Sequence, residues 1–349
     1  MDRGSDRLGG SSEVRVLVVG LGSIGSRHAV NLQSLGVSEI LAYRALGRPL
    51  PADRELPPIV ECTSLEDGLA RRPDAVLVCN PPSLHIPAAL AAARAGAHLF
   101  IEKPLAASRE GVDELAELVE REGLVSLVGF NLRFHPGLQL MKSLIDEGAV
   151  GKVVSIRADA GQHLAEWRPW QTLSESYSAS RQLGGGVILD LIHEVDYVRW
   201  LGGEVAEVSC FARTSGFLGI DTEDTAEILL RFRDGGMAGI HLDYVQRPAS
   251  RSCKIVGEEG TIIWDYYENE VRLQRASDAE WQISPQAGFQ HNDMFVDEMR
   301  HFLACIAGRE EPVVDVIEGT KVLDIALAAH ESAAQGRVVS LPREGGHHG

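Results

Sequence analysis

The stretch that decides the fold is VRVLVVGLGSIG, residues 14–25. A mostly apolar run, typical of a buried strand, leads directly into the spacing G-x-G-x-x-G. Gly20 permits a sharp turn, Gly22 lets a pyrophosphate approach the backbone, and Gly25 allows the following helix to pack on the strand. The start of that helix offers N–H donors and a positive partial charge. The stretch predicts a dinucleotide-binding turn; the alternative is a glycine-rich turn that binds nothing.

The following hundred or so residues repeat this alternation of strand and helix. Helical patterns cover residues 23–35 and 86–95, and short apolar runs occur at residues 16–19, 40–42, 75–78, 98–101 and 125–128. This order is typical of a doubly wound parallel sheet with crossover helices. It predicts an N-terminal Rossmann domain that binds NAD(P) over residues 14–132. The polar residues 1–13 are predicted to be a disordered N-terminus.

Beyond about residue 151 the pattern changes to alternating strands joined by tight turns, such as Asp234-Gly235-Gly236. Strands are predicted at residues 228–232, 237–244, 254–256, 261–264 and 271–273, and helices at 293–307 and 319–335. The predicted fold class is therefore α/β plus α+β, the second part being a mostly antiparallel sheet backed by helices. We expect a substrate-binding α/β domain with a large open sheet over residues 133–342 and a disordered tail over 343–349.

Composition excludes several classes of protein. Acidic residues number 50 against 33 basic ones, for a formal net charge of -17, which repels nucleic acid and anionic membranes. The sequence shows neither an apolar span of 18 residues nor a signal peptide, and its five cysteines are scattered. We expect a cytoplasmic protein with reduced thiols and no metal site. A large sheet with one open face predicts a homodimer or homotetramer.

The end of the second predicted strand bears on the choice of cofactor. An NAD-selective domain usually has an acidic residue there, which binds the ribose 2′-hydroxyl. This chain instead has Tyr43 and Arg44, with Arg48 nearby. Because an arginine can pair with a 2′-phosphate, NADP is favoured over NAD. An arginine can also stack on adenine, so NAD stays open.

Four motifs are specific when taken together: GLGSIG at residues 20–25, CNPPSLH at 79–85, EKP at 102–104 and GGGVILDLIH at 184–193. They resemble the glucose-fructose oxidoreductase, inositol dehydrogenase and MocA family of NAD(P)-dependent oxidoreductases, over nearly the whole chain. With the turn and the second strand, the resemblance gives the candidate cofactor-binding residues Gly20, Gly22, Ser23, Ile24, Gly25, Tyr43, Arg44, Cys79, Asn80, Pro81, Pro82, His85, Glu102, Lys103 and Asn131.

Lys103 follows the run at residues 98–101, at the carboxyl end of a predicted parallel strand, where open α/β sheets place ligands. Enclosure by protein can lower the pKa of a lysine into the range useful for proton transfer. From the residues alone, a surface lysine in a turn is the alternative. The resemblance implies a catalytic acid/base beside the path of the hydride.

A predicted helix over residues 187–201 carries a second cluster. Its periodicity places Asp190, His193, Glu194 and Tyr197 on one polar face. Asp190 can then fix the tautomer of His193 and leave the other ring nitrogen for substrate; a solvated face is the alternative. The resemblance implies catalytic roles for both residues. Most of the family has these two residues four apart and this chain has them three apart, which leaves the role of Asp190 open.

Substrate-side candidates surround this helix in the sequence. The resemblance places Asn131 and Arg133 in a segment that lines the substrate cleft. In WRPW, residues 167–170, the aromatic faces can stack on a sugar ring and the guanidinium can bind an anion; a packed loop is the alternative. Arg181 can assist Arg133 and Arg168 with an anionic sugar or a nucleotide-sugar diphosphate. The candidate substrate-binding residues are Lys103, Arg133, Trp167, Arg168, Trp170, Asp190 and His193.

The function predicted is an NAD(P)-dependent dehydrogenase or reductase of CH–OH groups. It would transfer hydride to or from a secondary alcohol or ketone carbon of a sugar, cyclitol or nucleotide sugar. A second hypothesis is an enzyme that recycles NAD(P) internally while it performs elimination or glycoside cleavage. A third is a dinucleotide- and sugar-binding regulator without catalysis, since fold does not fix function.

Overall fold

The computed structural model describes residues 14–44, 55–167, 172–173 and 176–342. The termini predicted to be disordered lie outside these residues. The described chain forms two compact units. The first contains the described residues up to Gly129 together with His291–Gly319, and the second contains Phe130–Gln290 and the residues from Thr320 onward.

A six-stranded parallel sheet forms the centre of the first unit as described, with the order β3-β2-β1-β4-β5-β6 that is typical of Rossmann folds. Its strands are β1 (Arg15–Val19), β2 (Glu39–Tyr43), β3 (Val60–Cys62), β4 (Ala75–Val78), β5 (His98–Glu102) and β6 (Ser126–Gly129). Its first four helices are α1 (Ser23–Ser34), α2 (Leu65–Ala70), α3 (His85–Arg94) and α4 (Val112–Glu122). The sequence missed β3, which is only three residues long and has Glu61 at its centre.

The first unit also includes a helix from late in the chain. This helix, α9 (Asp293–Ile306), packs against α1, and its Met299, Phe302 and Ile306 join the same apolar core as Phe100. The segment that follows is tied to β6, because Val128 donates its N–H to the carbonyl oxygen of Val314 at 2.8 Å. The sequence assigned residues 291–319 to the second domain. Periodicity identifies an amphipathic helix but does not show which core receives its apolar face.

A mixed sheet dominates the second unit, in which the described strands follow the order β14-β13-β12-β11-β7-β10-β9-β8-β15. Among the strands that the structure describes, only β7 and β10 pair in parallel; the other neighbours are antiparallel. The strands are β7 (Val153–Gly161), β8 (Val205–Arg213), β9 (Thr225–Phe232), β10 (Met237–Asp243), β11 (Ser250–Gly257), β12 (Gly260–Asp265), β13 (Glu270–Arg275), β14 (Gln282–Pro285) and β15 (Val339–Ser340). The predicted fold class is confirmed.

Helices cover one face of this sheet. They include α5 (Pro136–Asp146), α7 (Val187–Asp190) and α8 (His193–Gly202), which pack on strands from β7 to β13. A short α6 (Leu164–Trp167) and a long α10 (Val316–Gln335) complete the described helices. Each of the helices that the structure describes is too short or too polar to cross a membrane.

The helix predicted over residues 187–201 is wrong in one respect, because the structure contains two helices there. The backbone leaves the helical conformation at Leu191, where φ is -94° and ψ is 33°. The polar face of the predicted helix is also buried rather than solvated. Its residues are at most 8% exposed: Asp190, His193, Glu194 and Tyr197. The period of the apolar residues runs through the break, so the sequence does not reveal it.

Candidate active site

The glycine-rich turn after β1 leaves no room for side chains at two of its positions. A Cβ on Gly25 would lie 1.9 Å from the carbonyl oxygen of Gly20, and a Cβ on Gly20 would lie 2.8 Å from the backbone of Cys79 and Asn80. Gly20 also has a φ of +99°, which L side chains rarely adopt. By contrast, Gly22 is exposed, and nothing lies within 4 Å of its Cβ position. The backbone at Gly22 is therefore open to a ligand, just before α1 begins at Ser23 with Ile24 next to it.

The end of β2 lies beside this turn, because Gly20 donates its N–H to the carbonyl oxygen of Tyr43 at 2.9 Å. Arg44 follows, and its Nη2 is 3.3 Å from Oε1 of Glu61 on the neighbouring β3. The arginine predicted to select a 2′-phosphate thus already has a carboxylate partner. Arg48 lies outside the described residues.

The loop after β4 approaches the same turn. Cys79 donates its N–H to the carbonyl oxygen of Val19 at 2.8 Å and is buried, whereas Asn80 and Pro81 are half-buried. Pro82 begins a short 3₁₀ turn that leads into α3. The structure therefore brings the predicted cofactor-binding residues of β1, β2 and β4 to one edge of the sheet.

His85 behaves differently from the prediction that it binds the cofactor. Its side chain is enclosed at 1% exposure, and both ring nitrogens face backbone carbonyl oxygens: Nδ1 is 2.8 Å from that of Pro104 and Nε2 is 2.8 Å from that of Asn80. Both ring nitrogens therefore contact the protein backbone, which leaves neither to bind the cofactor. A histidine motif in a loop does not show whether the ring points outward or inward.

Lys103 directly follows β5 and is half-buried, and the peptide bond between it and Pro104 is cis. The preceding Glu102 is 8% exposed. Its carboxylate accepts the backbone N–H of Lys103 at 3.2 Å and the Nε2–H of His28 at 2.6 Å. Glu102 therefore holds the backbone at Lys103 from within the core, instead of presenting its carboxylate to a ligand.

In the second unit, three hydroxyl groups surround the carboxylate of Asp190. Tyr177, Ser178 and Tyr244 donate to it at 2.7, 2.6 and 3.1 Å. Burial, and then the charge of Asp190, raises the pKa of Tyr244 well above its usual range, so this tyrosine stays a hydrogen-bond donor. Trp167 packs edge-on against Tyr244, with ring centroids 5.4 Å apart. Asp190 thus organises the residues around it.

His193 begins α8 and is 8% exposed, with its ring edge-on to Phe130 at a centroid distance of 5.8 Å. On the same helix, Asp196 accepts two hydrogen bonds from Arg133, at 2.7 and 2.8 Å. The guanidinium of Arg133 is 8% exposed and lies over the ring of Trp200.

This geometry opposes the predicted role of Arg133 as a substrate ligand, because its charge is neutralised by an internal bidentate ion pair. Asn131 is likewise buried, at 5% exposure. Arg181 contacts Asp221 through its backbone N–H and its guanidinium. Arg168 and Trp170 lie outside the described residues.

Two sequence profiles of one family match the chain. The profile described as an oxidoreductase family with an NAD-binding Rossmann fold matches residues 14–130. The profile of the GFO/IDH/MocA C-terminal domain matches residues 138–263. The chain belongs to the GFO/IDH/MocA family of oxidoreductases. This confirms the family predicted from the four motifs, and with it an NAD-dependent oxidoreductase.

Individual relatives of this GFO/IDH/MocA chain span almost its whole length. It is 30% identical to scyllo-inositol 2-dehydrogenase (NAD(+)) of Bacillus subtilis over 94% of this chain and 96% of the relative. It is 27% identical to Myo-inositol 2-dehydrogenase of Thermotoga maritima over 94% of this chain and 98% of the relative. The solved structure of levoglucosan dehydrogenase with NADH and levoglucosan superposes with a TM-score of 0.83 at 22% identity, over 95% of this chain and all of that one, which shows the fold.

The turn at residues 20–25 fits the dinucleotide that the family binds. Gly22 leaves its backbone accessible, and α1 begins there without a side-chain cap or an acidic residue in its first turn. An anion at this point therefore meets the positive end of the helix without competition from a carboxylate in that turn.

A buried acid that the sequence did not reveal lies beneath this edge of the GFO/IDH/MocA fold. Glu298 on α9 is 1% exposed, and within the described residues neither carboxyl oxygen has a hydrogen-bond partner. Burial, with a further contribution from the charge of Glu102, raises the pKa of Glu298 well above its usual range. The spacing in the sequence could have indicated this burial. Met294, Glu298 and Phe302 are four residues apart, which places Glu298 on an otherwise apolar face of the helix.

Replacing Glu298 with Gln should change how stability depends on pH. Because the folded state raises the pKa of Glu298, it binds more protons than the unfolded state above the ordinary pKa of glutamate, and stability falls as pH rises. Glu298→Gln removes that loss. We expect the variant to gain stability over the wild type as pH rises from 4.5 to 7, by about 3 kcal/mol at most.

Denaturant unfolding at several pH values measures this difference. Glu117→Gln on α4, where the glutamate is exposed, is the matched control and should follow the wild-type curve. If Glu298→Gln and the wild type show parallel curves across this range, Glu298 is not held in its protonated form.

Proposed function

We propose that this chain transfers a hydride between a bound nicotinamide and a secondary alcohol or ketone carbon of a sugar, cyclitol or nucleotide sugar. Membership of the family supports the redox chemistry, and the inositol dehydrogenases to which the chain is similar support the substrate class. The observation that carries the proposal is the open glycine turn after β1, with Lys103 at the same carboxyl edge of one sheet. NAD, when bound, supplies the carbon that accepts or releases the hydride.

Lys103 is proposed as the acid/base for the substrate hydroxyl. Its backbone is fixed by the Glu102 carboxylate, so the side chain starts from a rigid point at the end of β5. A positioned amine can take the hydroxyl proton as the carbon loses hydride, and return it in the reverse direction. His193 stays a catalytic candidate that the resemblance implies.

Asp190 is proposed as a positioning residue instead of the substrate contact expected from the sequence, because its carboxylate is 2% exposed and accepts three internal hydrogen bonds. Its carboxylate accepts hydrogen bonds from Tyr177 and Tyr244. These bonds fix the position of the Tyr244 ring, against which Trp167 packs. Trp167 then offers a face suited to stacking on a sugar ring. Arg168 and Trp170 stay proposals from the sequence.

Replacing Lys103 tests the function directly. We expect Lys103→Ala to lower kcat by about a hundredfold or more, because it removes an acid/base, while the affinity for the dinucleotide changes little. Nicotinamide absorbance with a panel of cyclitols, pyranoses and nucleotide sugars measures the first quantity, and fluorescence titration measures the second.

Lys142→Ala on α5, which removes an amine paired with Asp146, is the control and should leave kcat unchanged. Equal turnover in Lys103→Ala and the wild type would refute the role of Lys103. Substrate conversion without net formation of NADH would favour internal recycling of the cofactor.

We propose NAD as the preferred dinucleotide, which revises the preference for NADP drawn from Arg44. A 2′-phosphate near Arg44 would meet the carboxylate of Glu61, whose side chain is 61% exposed and 3.3 Å from the guanidinium. A phosphate and a carboxylate bound to the same guanidinium are both negative and repel each other. The relative from Bacillus subtilis is named as an NAD(+) enzyme.

Glu61→Gln should therefore raise kcat/KM for NADP relative to NAD, by about tenfold, because it removes one negative charge beside Arg44. Initial rates with both dinucleotides give the ratio. Glu39→Gln, at the other end of β2 and paired with Arg15, is the control and should leave the ratio unchanged. A wild type that prefers NADP would contradict this proposal.

We also propose a homodimer or homotetramer in the cytoplasm. The sheet face opposite α7 and α8 exposes apolar side chains: Phe211 is 80% exposed, Met237 59% and Leu229 55%. Exposed apolar side chains gathered on one sheet face favour association. The five cysteines are free thiols, which supports a reducing compartment.

Leu229→Glu should weaken this association, because it places a charge on this exposed face between Phe211 of β8 and Met237 of β10. Sedimentation velocity of the wild type should show a dimer or tetramer, and the variant a shift towards monomer. Ile317→Glu, which alters a residue 49% exposed outside this sheet, should sediment as the wild type does. A monomeric wild type would end the proposal.

A further inference from the structure

The side chain of His85 joins two loops at the carboxyl edge of the first sheet. It begins α3, and its ring lies between the loop after β4 and the loop after β5. Nε2 is 2.8 Å from the carbonyl oxygen of Asn80, and Nδ1 is 2.8 Å from that of Pro104, the residue after Lys103. At 1% exposure, the ring has no access to solvent that could replace either contact.

Both partners of the ring are carbonyl oxygens, which only accept hydrogen bonds. A neutral imidazole carries one N–H, so it can donate to one carbonyl while its other nitrogen faces the second carbonyl with a lone pair. An imidazolium carries two N–H groups and donates to both. In the neutral ring one of the two contacts is therefore a hydrogen bond, and in the imidazolium both are.

Opposing influences act on this proton. Burial is the largest of them and lowers the pKa of His85 below its usual value, and its place at the start of α3 also disfavours a positive charge. The two carbonyl contacts and the negative charge of Glu102 on β5 act in the opposite direction. On the other packed element, α4, Glu114 pairs with Arg94 at the far end of α3. As pH rises the ring loses its second proton, and one of the two contacts changes from attractive to repulsive.

We propose that His85 is a positioning residue for Lys103, which it holds through the Pro104 carbonyl to the loop after β4, and that this link gains a second hydrogen bond when both ring nitrogens carry protons. The inference rests on the proposed acid/base role of Lys103 and deepens it. It also replaces the expectation that His85 binds the cofactor. A displaced Lys103 would meet the substrate hydroxyl less well, since misplacement by about 1 Å can cost a hundredfold in rate.

Kinetics of His85→Gln separate positioning from cofactor binding. The glutamine amide has a single donor nitrogen and does not span both carbonyls. We expect kcat to fall about tenfold to a hundredfold, with KM for the dinucleotide within about twofold of the wild type. His98→Gln is the matched control, because His98 lies on the same sheet at the start of β5, where its Nδ1 accepts the N–H of Val125. An unchanged kcat, or a higher KM for the dinucleotide with kcat unchanged, would overturn the proposal.

A second measurement does not depend on turnover and covers the case in which the variant folds poorly. In the wild-type protein, the nitrogen chemical shifts of the His85 ring distinguish imidazolium from either neutral tautomer, and the signal is assigned by its loss in His85→Gln. The carbonyl carbon shifts of Asn80 and Pro104 report the two contacts. We expect at least one carbonyl to titrate together with the ring and the amide of Lys103 to move with it. A ring that titrates while both carbonyls and Lys103 stay constant would refute the link, whether or not the chain proves to be a dehydrogenase.

Discussion

The first unit depends on the close passage of β1 into α1, where a single added Cβ on Gly25 would lie 1.9 Å from the carbonyl oxygen of Gly20. This approach sets the start of α1 against the end of β1 and leaves the backbone at Gly22 exposed. The same turn contacts the end of β2 through Tyr43 and the end of β4 through Cys79. One steric requirement thus brings together the strand ends that a dinucleotide needs.

Beneath that edge the chain buries polar groups that a core would otherwise exclude. His28 and Glu102 pair at 2.6 Å, Glu298 lies near them with a raised pKa, and His85 joins two carbonyls. Buried polar groups lower stability unless they are paired, and they are often retained where they place reacting groups. The Glu102 carboxylate accepts the backbone N–H of Lys103. The His85 ring contacts the carbonyl oxygen of Pro104, the next residue. These two side chains therefore hold the backbone at Lys103 from within the protein.

The sequence predicted most of the fold because its local signals agree with the tertiary structure. The turn at residues 20–25, the buried strand runs and the Asp234-Gly235-Gly236 hairpin each have one favourable structure. It did not assign α9 to the first unit, since an amphipathic face does not specify its partner. It also did not reveal that Arg133 is neutralised by Asp196 or that His85 points inward, because the contacts of Arg133 and His85 join residues 63 and 19 positions apart. Side-chain contacts of this kind depend on tertiary packing and not on the local sequence pattern.

Hydride transfer from a CH–OH carbon to a nicotinamide held at the glycine turn is the reaction to be tested first. The most direct test incubates the full chain and NAD with cyclitols and pyranoses deuterated at their carbinol carbons, and follows both NADH absorbance and the mass of the recovered dinucleotide. We expect one deuterium at nicotinamide C4 for each oxidised substrate. A protein that binds NAD but transfers no deuterium from any member of the panel would contradict it.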